Sequence, residues 1–263
     1  MINGLIVAFI LTMIIHTAET LSYSVRYAGV KLNKLAVALS LSGIIVLVSR
    51  TSNLIQAPIT AKFVDHAKID PTLDVLQYLR FIILASSVGT LIAIILFPTF
   101  VSLFGRIITK LEVAGSIPKL ISSVTIGQLK NTRHYLRSPM LKISQFRYLD
   151  VPKRFILLNV VVTAIYTVGV LSSLYAAHMI PALSTTASQS SGIINGIATI
   201  ILTIFIDPQL GLITDKAAHD LRMRDQLGKI YMLLMVSRFF GTMLAQLLLI
   251  PAAYVIGVVV AFL

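Results

Sequence analysis

The sequence predicts an all-α integral membrane protein whose six transmembrane helices form a 3+3 inverted-topology repeat. Two observations predict this fold class: long apolar runs, and a set of matched residues in the two halves of the chain. Of the 263 residues, 57% are hydrophobic and 12% are charged, whereas soluble domains carry about 25% charged residues. Apolar runs of this length are long enough to cross a bilayer. The six spans are predicted at residues 4–25, 35–60, 79–104, 155–180, 192–213 and 230–262.

The first span carries a polar stripe on one face. Its members recur at spacings of four, three, four and three residues, which places them within about 90° of one another on a helix. They are Thr12, His16, Glu19, Tyr23 and Arg26. Each charge at bilayer depth costs about 2.5–3.5 kcal/mol on insertion scales, so such a stripe faces protein or a wet cavity. The stripe is either the polar wall of a substrate path or a packing seam in which His16 and Glu19 bond each other.

Further ionisable side chains lie at membrane depth in other spans. Arg50 shares the second span with Asn53 and needs a carboxylate partner, for which Glu19 and then Asp207 are the candidates. Arg238 lies in the sixth span. The cationic side chains outnumber the acids, and arginine binds phosphate oxygens bidentately, which favours an anionic ligand. The candidate substrate-binding residues are His16, Glu19, Tyr23, Arg26, Arg50, Asn53, Asp207 and Arg238.

The charges outside the spans predict the membrane topology. Residues 105–154 carry a net charge of +8, two thirds of the chain's +12, and the other basic turns lie on the same predicted side. Basic loops stay cytoplasmic, so we expect the segment 105–154 inside the cell and both termini outside. The segment is either a partly amphipathic surface piece held by anionic lipids or a solvated topology determinant. Because the basic residues flank spans, we expect no nucleic-acid partner.

The two halves of the chain share residues in the same order, which predicts an internal duplication. The segment from Phe9 to Ala18 matches 155–164 at an offset of 146, and the segment from Pro58 to Asp70 matches 208–220 at an offset of 150. The pair Gly89-Thr90 then matches 241–242. Three spans per half invert the second copy relative to the first. The predicted domains are a first three-helix repeat at 1–104, a basic linker at 105–154 and a second three-helix repeat at 155–263.

Four prolines lie at matched places in the two halves. Pro58, Pro98, Pro208 and Pro251 put one candidate helix breaker in each of spans two, three, five and six. A broken helix exposes carbonyl groups that lipid does not tolerate and a cavity wall does. The alternative is an ordinary kink packed by its neighbours. The segment Val162–Gly169, which corresponds to the polar stripe of the first span, is interpreted as apolar. Arg50 corresponds to about Ile200 and Arg238 to about Ser86, so each charge lacks a counterpart in the other half.

Enzyme signals are weak. The sequence lacks His-Glu-x-x-His, Gly-x-Ser-x-Gly and Walker motifs, and its five histidines show no metal-ligand spacing. The chain has no cysteine, which excludes thiol catalysis and cysteine-based metal sites. We therefore expect no enzyme activity, no metal site and no cofactor. Six aspartates near the span ends are expected to cap helices or set loop geometry. They are Asp65, Asp70, Asp74, Asp215, Asp220 and Asp225.

Three segments carry a resemblance to a known family. They are Ile15–Arg26 (IHTAETLSYSVR), Ser49–Pro58 (SRTSNLIQAP) and Asp207–Gly211 (DPQLG). These motifs resemble the Amj family of bacterial lipid II flippases, which can replace the unrelated MurJ, and the resemblance covers the whole chain. It implies translocation of undecaprenyl-pyrophosphate-linked disaccharide-pentapeptide from the inner to the outer leaflet of the cytoplasmic membrane, for peptidoglycan synthesis. The family offers no catalytic motif to carry over, so the site residues above rest on the sequence pattern alone.

The residue pattern fits that implication and leaves two alternatives open. A lipid II flippase needs a hydrated cationic groove that opens sideways to lipid, and six spans are few for so large a head, so we expect a homodimer. The same charges suit an ion-coupled transporter of a small anionic solute. They also suit an intramembrane enzyme acting on polyprenyl phosphates, with His16 as base.

Overall fold

A computed structural model describes residues 2–115, 119 and 151–263, and these residues form helices joined by short turns. Within these ranges six helical segments are long and apolar enough to cross a membrane, which confirms the prediction of an all-α, six-span protein. No strand occurs in the described ranges. The helices are α1 (Ile2–Lys31), α2 (Leu35–Ile69), α3 (Val75–Ala114), α4 (Lys153–Met179), α5 (Ser184–Gln189), α6 (Ser191–Ile201), α7 (Asp207–His219) and α8 (Leu221–Phe262).

The fifth span is assembled from several pieces. A 3-10 turn at Pro181–Leu183 precedes α5 and α6, and a π-helical turn at Leu202–Ile206 connects α6 to α7. The other long helices run without interruption through Pro58, Pro98 and Pro251. The prediction of a helix break at those three prolines was wrong, because a long helix loses only a local backbone hydrogen bond at proline and neighbouring helices hold it together.

Helix α3 is longer than the sequence predicted. It continues ten residues past the predicted boundary at 104 and ends at Ala114, where Gly115 adopts a left-handed conformation with φ of 72°. An ion pair between Glu112 and Lys34 ties this end of α3 to the turn between α1 and α2. The first part of the predicted basic linker is therefore helix, and residues 116–118 and 120–150 lie outside the described residues.

In the first half, α1 and α3 pack closely and run in the same direction. A Cβ added at Gly89 would lie 2.3 Å from the Met13 carbonyl oxygen, so only glycine allows the two backbones to approach this closely. The Thr17 hydroxyl donates to the Gly89 carbonyl oxygen at 3.0 Å. Phe9 and Phe81 lie eight residues before Thr17 and Gly89 respectively, and their rings are 4.8 Å apart. The residue numbers at these contacts increase in the same direction along α1 and α3, so the two helices are parallel.

In the second half, α4 and α8 make a similar contact. A Cβ at Gly241 would lie 2.7 Å from the Val160 carbonyl oxygen and 2.6 Å from the Thr163 Cβ. The Asn159 amide donates to the Ser237 hydroxyl at 2.6 Å, one turn earlier on both helices. Helices α4 and α8 are therefore also parallel to each other.

The two halves meet along α3 and α8, which run in opposite directions. The Gln246 amide donates to the Arg80 carbonyl oxygen at 2.9 Å, and the Ser87 hydroxyl donates to the Thr242 hydroxyl at 3.0 Å. Residue numbers at these contacts increase along α3 as they decrease along α8, so the two helices are antiparallel. Since α1 is parallel to α3 and α4 is parallel to α8, the first-half pair points opposite to the second-half pair.

Three of the six predicted aspartates hold the turns between spans. The prediction was wrong for Asp65, Asp215 and Asp225, which lie within helices because those helices extend further than expected. The Asp74 carboxylate caps α3 by accepting the backbone N–H three residues on, at 3.0 Å, and Asp220 caps α8 by accepting from the Arg222 N–H at 2.7 Å. Asp70 accepts from the Thr72 hydroxyl at 2.6 Å and from its N–H at 3.1 Å. These hydrogen bonds, the hydroxyl first, lower the pKa of the Asp70 carboxyl.

Candidate functional site

Two adjoining cavities form a polar groove between the halves. The larger has a volume of about 330 Å³ and the smaller about 110 Å³, and both are bordered by Glu19, Arg50 and Tyr166. The structure places all eight predicted site residues on the walls of this groove. The larger cavity is lined by Glu19, Tyr23, Arg26, Arg50, Asp207 and Arg238, and the smaller by His16, Glu19, Arg50 and Asn53.

Glu19 is the central acid of the groove. One of its oxygens accepts from the Arg238 guanidinium at 3.1 Å, and the other accepts from the Ser49 hydroxyl at 2.8 Å. Both members of the ion pair are mostly enclosed, with side-chain exposures of 15% for Arg238 and 16% for Glu19. This contact links α1, α2 and α8. The sequence expected Glu19 to pair with Arg50 or to bond His16, and neither expectation holds, because Arg238 reaches Glu19 from the other half.

Arg50 extends into the groove from α2 without a carboxylate partner. It is exposed, and no carboxylate in the described part of the chain lies within ion-pair distance of it. Asp207 is likewise exposed on the opposite wall, where α7 begins. The Arg26 Nε is buried and has no hydrogen-bond partner among the described residues. Three arginines thus face two acids, one of which is already paired, so the larger cavity is cationic.

The smaller cavity has a different chemistry. His16 is 5% exposed, and its Nδ1 has no hydrogen-bond partner within the described ranges. The Asn195 Oδ1 on α6 is buried and unpartnered in the same way. Asn195 packs directly on α4, where a Cβ at Gly169 would lie 1.8 Å from its Oδ1. Glycine at this position therefore gives the amide its place beside the cavity.

The sequence analysis missed the neutral wall that α4 and α6 contribute. Its members are Asn159, Thr163, Tyr166, Thr167 and Asn195. Interpreting Val162–Gly169 as apolar was wrong, because three of these side chains lie in that segment and border the groove. The signal was present: positions 159, 163 and 166 follow the spacing of four and three residues seen in the stripe of α1. These hydroxyl and amide groups carry no charge, so they stand out less than ionisable residues in an apolar run.

The groove lies deep in the membrane-spanning region. Glu19 is 12 residues from the end of α1 at Lys31, or about 18 Å along the helix axis. Side chains of α2 form one wall and those of the fifth span form the other, and exposed apolar residues such as Val46, Leu47, Ile200 and Ile204 flank both. A charged groove at this depth, flanked by apolar residues, is typical of a multi-pass membrane transport protein.

Comparison with known proteins identifies the family. The family model described as Amj, alternate to MurJ, matches residues 11–260, and the chain belongs to this family. Lipid II flippase Amj of Bacillus subtilis (strain 168) is 41% identical over 252 residues, covering 95% of this chain and 94% of that protein. No solved structure gives a significant match. The resemblance found in the three sequence motifs is confirmed.

Proposed function

We propose that the protein is a lipid II flippase of the bacterial cytoplasmic membrane. It moves the undecaprenyl-pyrophosphate-linked peptidoglycan precursor from the inner to the outer leaflet. Membership of the Amj family and the 41% identical relative support the substrate. The observation that carries the mechanism is the cationic groove, in which Arg50 has no carboxylate partner in the described structure.

The groove suits the two parts of a polyprenyl pyrophosphate. Arginine offers a planar fork of donors that matches phosphate oxygens, and Arg50 and Arg26 have donors not used by the described protein residues. Arg238 is held by Glu19 at the base of the groove. The apolar flanks let the isoprenoid tail stay in lipid while the charged head crosses. We assign the eight predicted residues to this path, with the pyrophosphate near Arg50 and Arg26.

We propose that the halves are an inverted repeat, 1–104 and 155–263, that exposes the groove to each leaflet in turn. The antiparallel α3 and α8, the parallel pairs within each half, and the matched contacts at Gly89 and Gly241 support it. The larger cavity lies toward the basic ends of the helices, bordered by Arg26, and the smaller toward the termini, bordered by Thr12. That asymmetry is expected of a carrier facing the inner leaflet.

The topology follows from the basic ends. Arg224 donates to the Asn33 side chain at 2.7 Å, so the α1–α2 and α7–α8 turns share one face with the end of α3. We propose that this face and the segment 105–154 are cytoplasmic, with both termini outside. The chain has no cysteine, so single cysteines introduced at 33 and 262 can be labelled selectively. An impermeant maleimide on intact cells should label 262 and spare 33, and the reverse pattern refutes this orientation.

Two partners are proposed besides lipid II. Anionic lipids suit the basic segment 105–154, which carries a net charge of +8. A second copy of the chain would enlarge the path, since a disaccharide-pentapeptide exceeds the 330 Å³ of the larger cavity. Native mass measurement and crosslinking in membranes should give a dimer, and a strictly monomeric protein refutes that proposal.

The proposed function is tested in cells depleted of every other flippase. Expression of this chain should restore exposure of lipid II on the outer leaflet, and growth with it. Arg50→Ala should abolish that exposure while the protein still inserts. Lys62→Ala is the matched control: Lys62 lies on α2, exposed, and borders neither cavity. Full activity of Arg50→Ala would refute the site, and failure of the wild-type chain would refute the function.

A small anionic solute is a second candidate substrate, since the larger cavity of 330 Å³ holds such a solute entirely. Solute counterflow in proteoliposomes, with no lipid II exposure in cells, would favour that candidate.

A further inference from the structure

We propose that Glu19 and the pyrophosphate of the substrate compete for Arg238. Glu19 holds the Arg238 guanidinium until an anion enters the larger cavity, and the pyrophosphate then takes the place of the carboxylate. This inference rests on the proposed function and specifies how the groove takes up and releases its ligand. It makes Arg238 a third arginine for the anion, beside Arg26 and Arg50.

The first support is the access that the cavity gives to the ion pair. Glu19 and Arg238 both border the larger cavity of about 330 Å³. Their side chains are 16% and 15% exposed, so each is mostly enclosed but still reached from the cavity. An ion pair sealed inside a dry interface could not exchange with a ligand, whereas this one can.

The second support is the way in which the pair is bonded. One hydrogen bond joins the two groups, from Arg238 Nη2 to Glu19 Oε2 at 3.1 Å. The other carboxylate oxygen accepts from the Ser49 hydroxyl at 2.8 Å. Arginine commonly makes two parallel hydrogen bonds of about 2.7–2.9 Å to a carboxylate or a phosphate. A pyrophosphate can therefore replace this single bond by a bidentate one.

The third support is repulsion between like charges. Arg26 and Arg50 line the larger cavity and attract an anion into it. The anion then lies beside the Glu19 carboxylate, which borders the same cavity. The repulsion between the two is strong because the groove lies deep in the membrane, where the dielectric is low. Movement of Glu19 away from Arg238 relieves this repulsion.

The fourth support is a place for the displaced carboxylate. Glu19 also borders the smaller cavity, whose walls include the amides of Asn53 and Gln56. Asn53 lies four residues beyond Ser49 on α2, which is about one helical turn. The volume of about 110 Å³ exceeds the roughly 30 Å³ that one water molecule occupies in the liquid, so a carboxylate fits. The carboxylate therefore moves from one polar position to another and does not enter lipid.

The exchange also changes how the halves are held together. The Glu19–Arg238 pair joins α1 of the first half to α8 of the second at the groove. The hydrogen bond from Ser87 on α3 to Thr242 on α8 lies outside both cavities and is not affected. Binding of the pyrophosphate therefore releases the halves at the groove while α3 and α8 still hold them, and the return of Glu19 to Arg238 drives the ligand out.

The test measures binding of undecaprenyl pyrophosphate to the purified full-length protein in nanodiscs, with undecaprenol, which lacks the phosphates, as the control lipid. Glu19→Gln removes the competing charge. Glu19→Asp keeps the charge but is one methylene shorter, which withdraws the carboxylate from Arg238. Glu112→Gln is the matched control, because it also removes an ion-paired acid, the partner of Lys34, and borders neither cavity.

We expect Glu19→Gln to raise the affinity for undecaprenyl pyrophosphate about 5- to 30-fold, mainly through slower dissociation. Glu19→Asp should raise it about threefold, and that gain should vanish when Arg238→Gln is added. Glu112→Gln should bind as the wild type does. If Glu19 served the fold alone, both of its variants would bind more weakly.

Unchanged or weaker binding by Glu19→Gln would overturn the exchange. A gain in Glu19→Gln with none in Glu19→Asp would overturn it as well, since loss of a negative charge would then explain the result, and so would an equal gain for undecaprenol. Should Glu19→Gln fold poorly, Glu19→Asp decides the question. If the wild type does not bind undecaprenyl pyrophosphate at all, the proposed function itself fails.

Discussion

The two walls of the groove come from different halves of the chain and carry different chemistry. On the α1 and α2 wall, Glu19, Arg26 and Arg50 supply charge. On the α4 and α6 wall, Tyr166 and Asn195 supply neutral hydrogen-bonding groups. Yet the helix contacts behind both walls are alike, with a glycine on the third helix of each half against the backbone of the first. Close helix packing is alike in the two halves while the groove side chains differ, so packing and recognition are separable here.

The largest expected effect tests the shared packing. Gly89→Ala puts a methyl group 2.3 Å from the Met13 carbonyl oxygen, and Gly241→Ala puts one 2.7 Å from the Val160 carbonyl oxygen. Backbone atoms cannot move aside, so each change should destabilise the protein by about 3 kcal/mol. Thermal unfolding followed by circular dichroism should show a lower Tm for both.

The control for this pair is Gly43→Ala on α2, where no described atom lies within 4 Å of the added Cβ. It should leave Tm unchanged or raise it slightly, because alanine favours a helix by about 0.5–1 kcal/mol over glycine. A tolerated Gly241→Ala beside a destructive Gly89→Ala would show that the halves do not pack alike.

The next effect concerns the contact that crosses the halves. Glu19→Gln and Arg238→Gln each leave a mostly enclosed charge without its partner, so each should lower stability by about 2–3 kcal/mol. The double variant should lose less than the sum, with a coupling of about 1–2 kcal/mol. Denaturation of all four proteins in one detergent gives the coupling. Strictly additive losses would mean that the Glu19–Arg238 pair contributes nothing to holding the halves together.

The smallest effect tests the neutral wall. Tyr166→Phe removes one hydroxyl from a side chain that borders both cavities. Loss of one neutral hydrogen bond should reduce lipid II exposure about threefold. Tyr254→Phe, on an exposed part of α8 away from the groove, is the matched control. If the two variants have equal activity, the Tyr166 hydroxyl does not contact substrate.

The sequence predicted what is local and missed what depends on partners. Apolar runs and helical spacing are local, so the six spans and the α1 stripe could be predicted. The partner of Glu19 could not, because Arg238 lies 219 residues away and reaches it only through tertiary packing. The neutral wall was missed for another reason. Hydroxyls in membrane helices commonly bond their own backbone, as Thr12 does with the Ala8 carbonyl, so a hydroxyl stripe carries little signal by itself.

The π-helical turn at Leu202–Ile206 has a mechanical consequence for the fifth span. A π turn holds one residue more than an α turn, and each residue of an α-helix accounts for about 100° of rotation and 1.5 Å of rise. Rewinding this turn would therefore swing Asp207 about a quarter of the way around the axis and carry α7 with it. The Asp207 carboxylate would leave its wall, and the local field along the path would become more positive. The Thr214 hydroxyl would also part from the Tyr231 hydroxyl on α8, which lies 2.7 Å away.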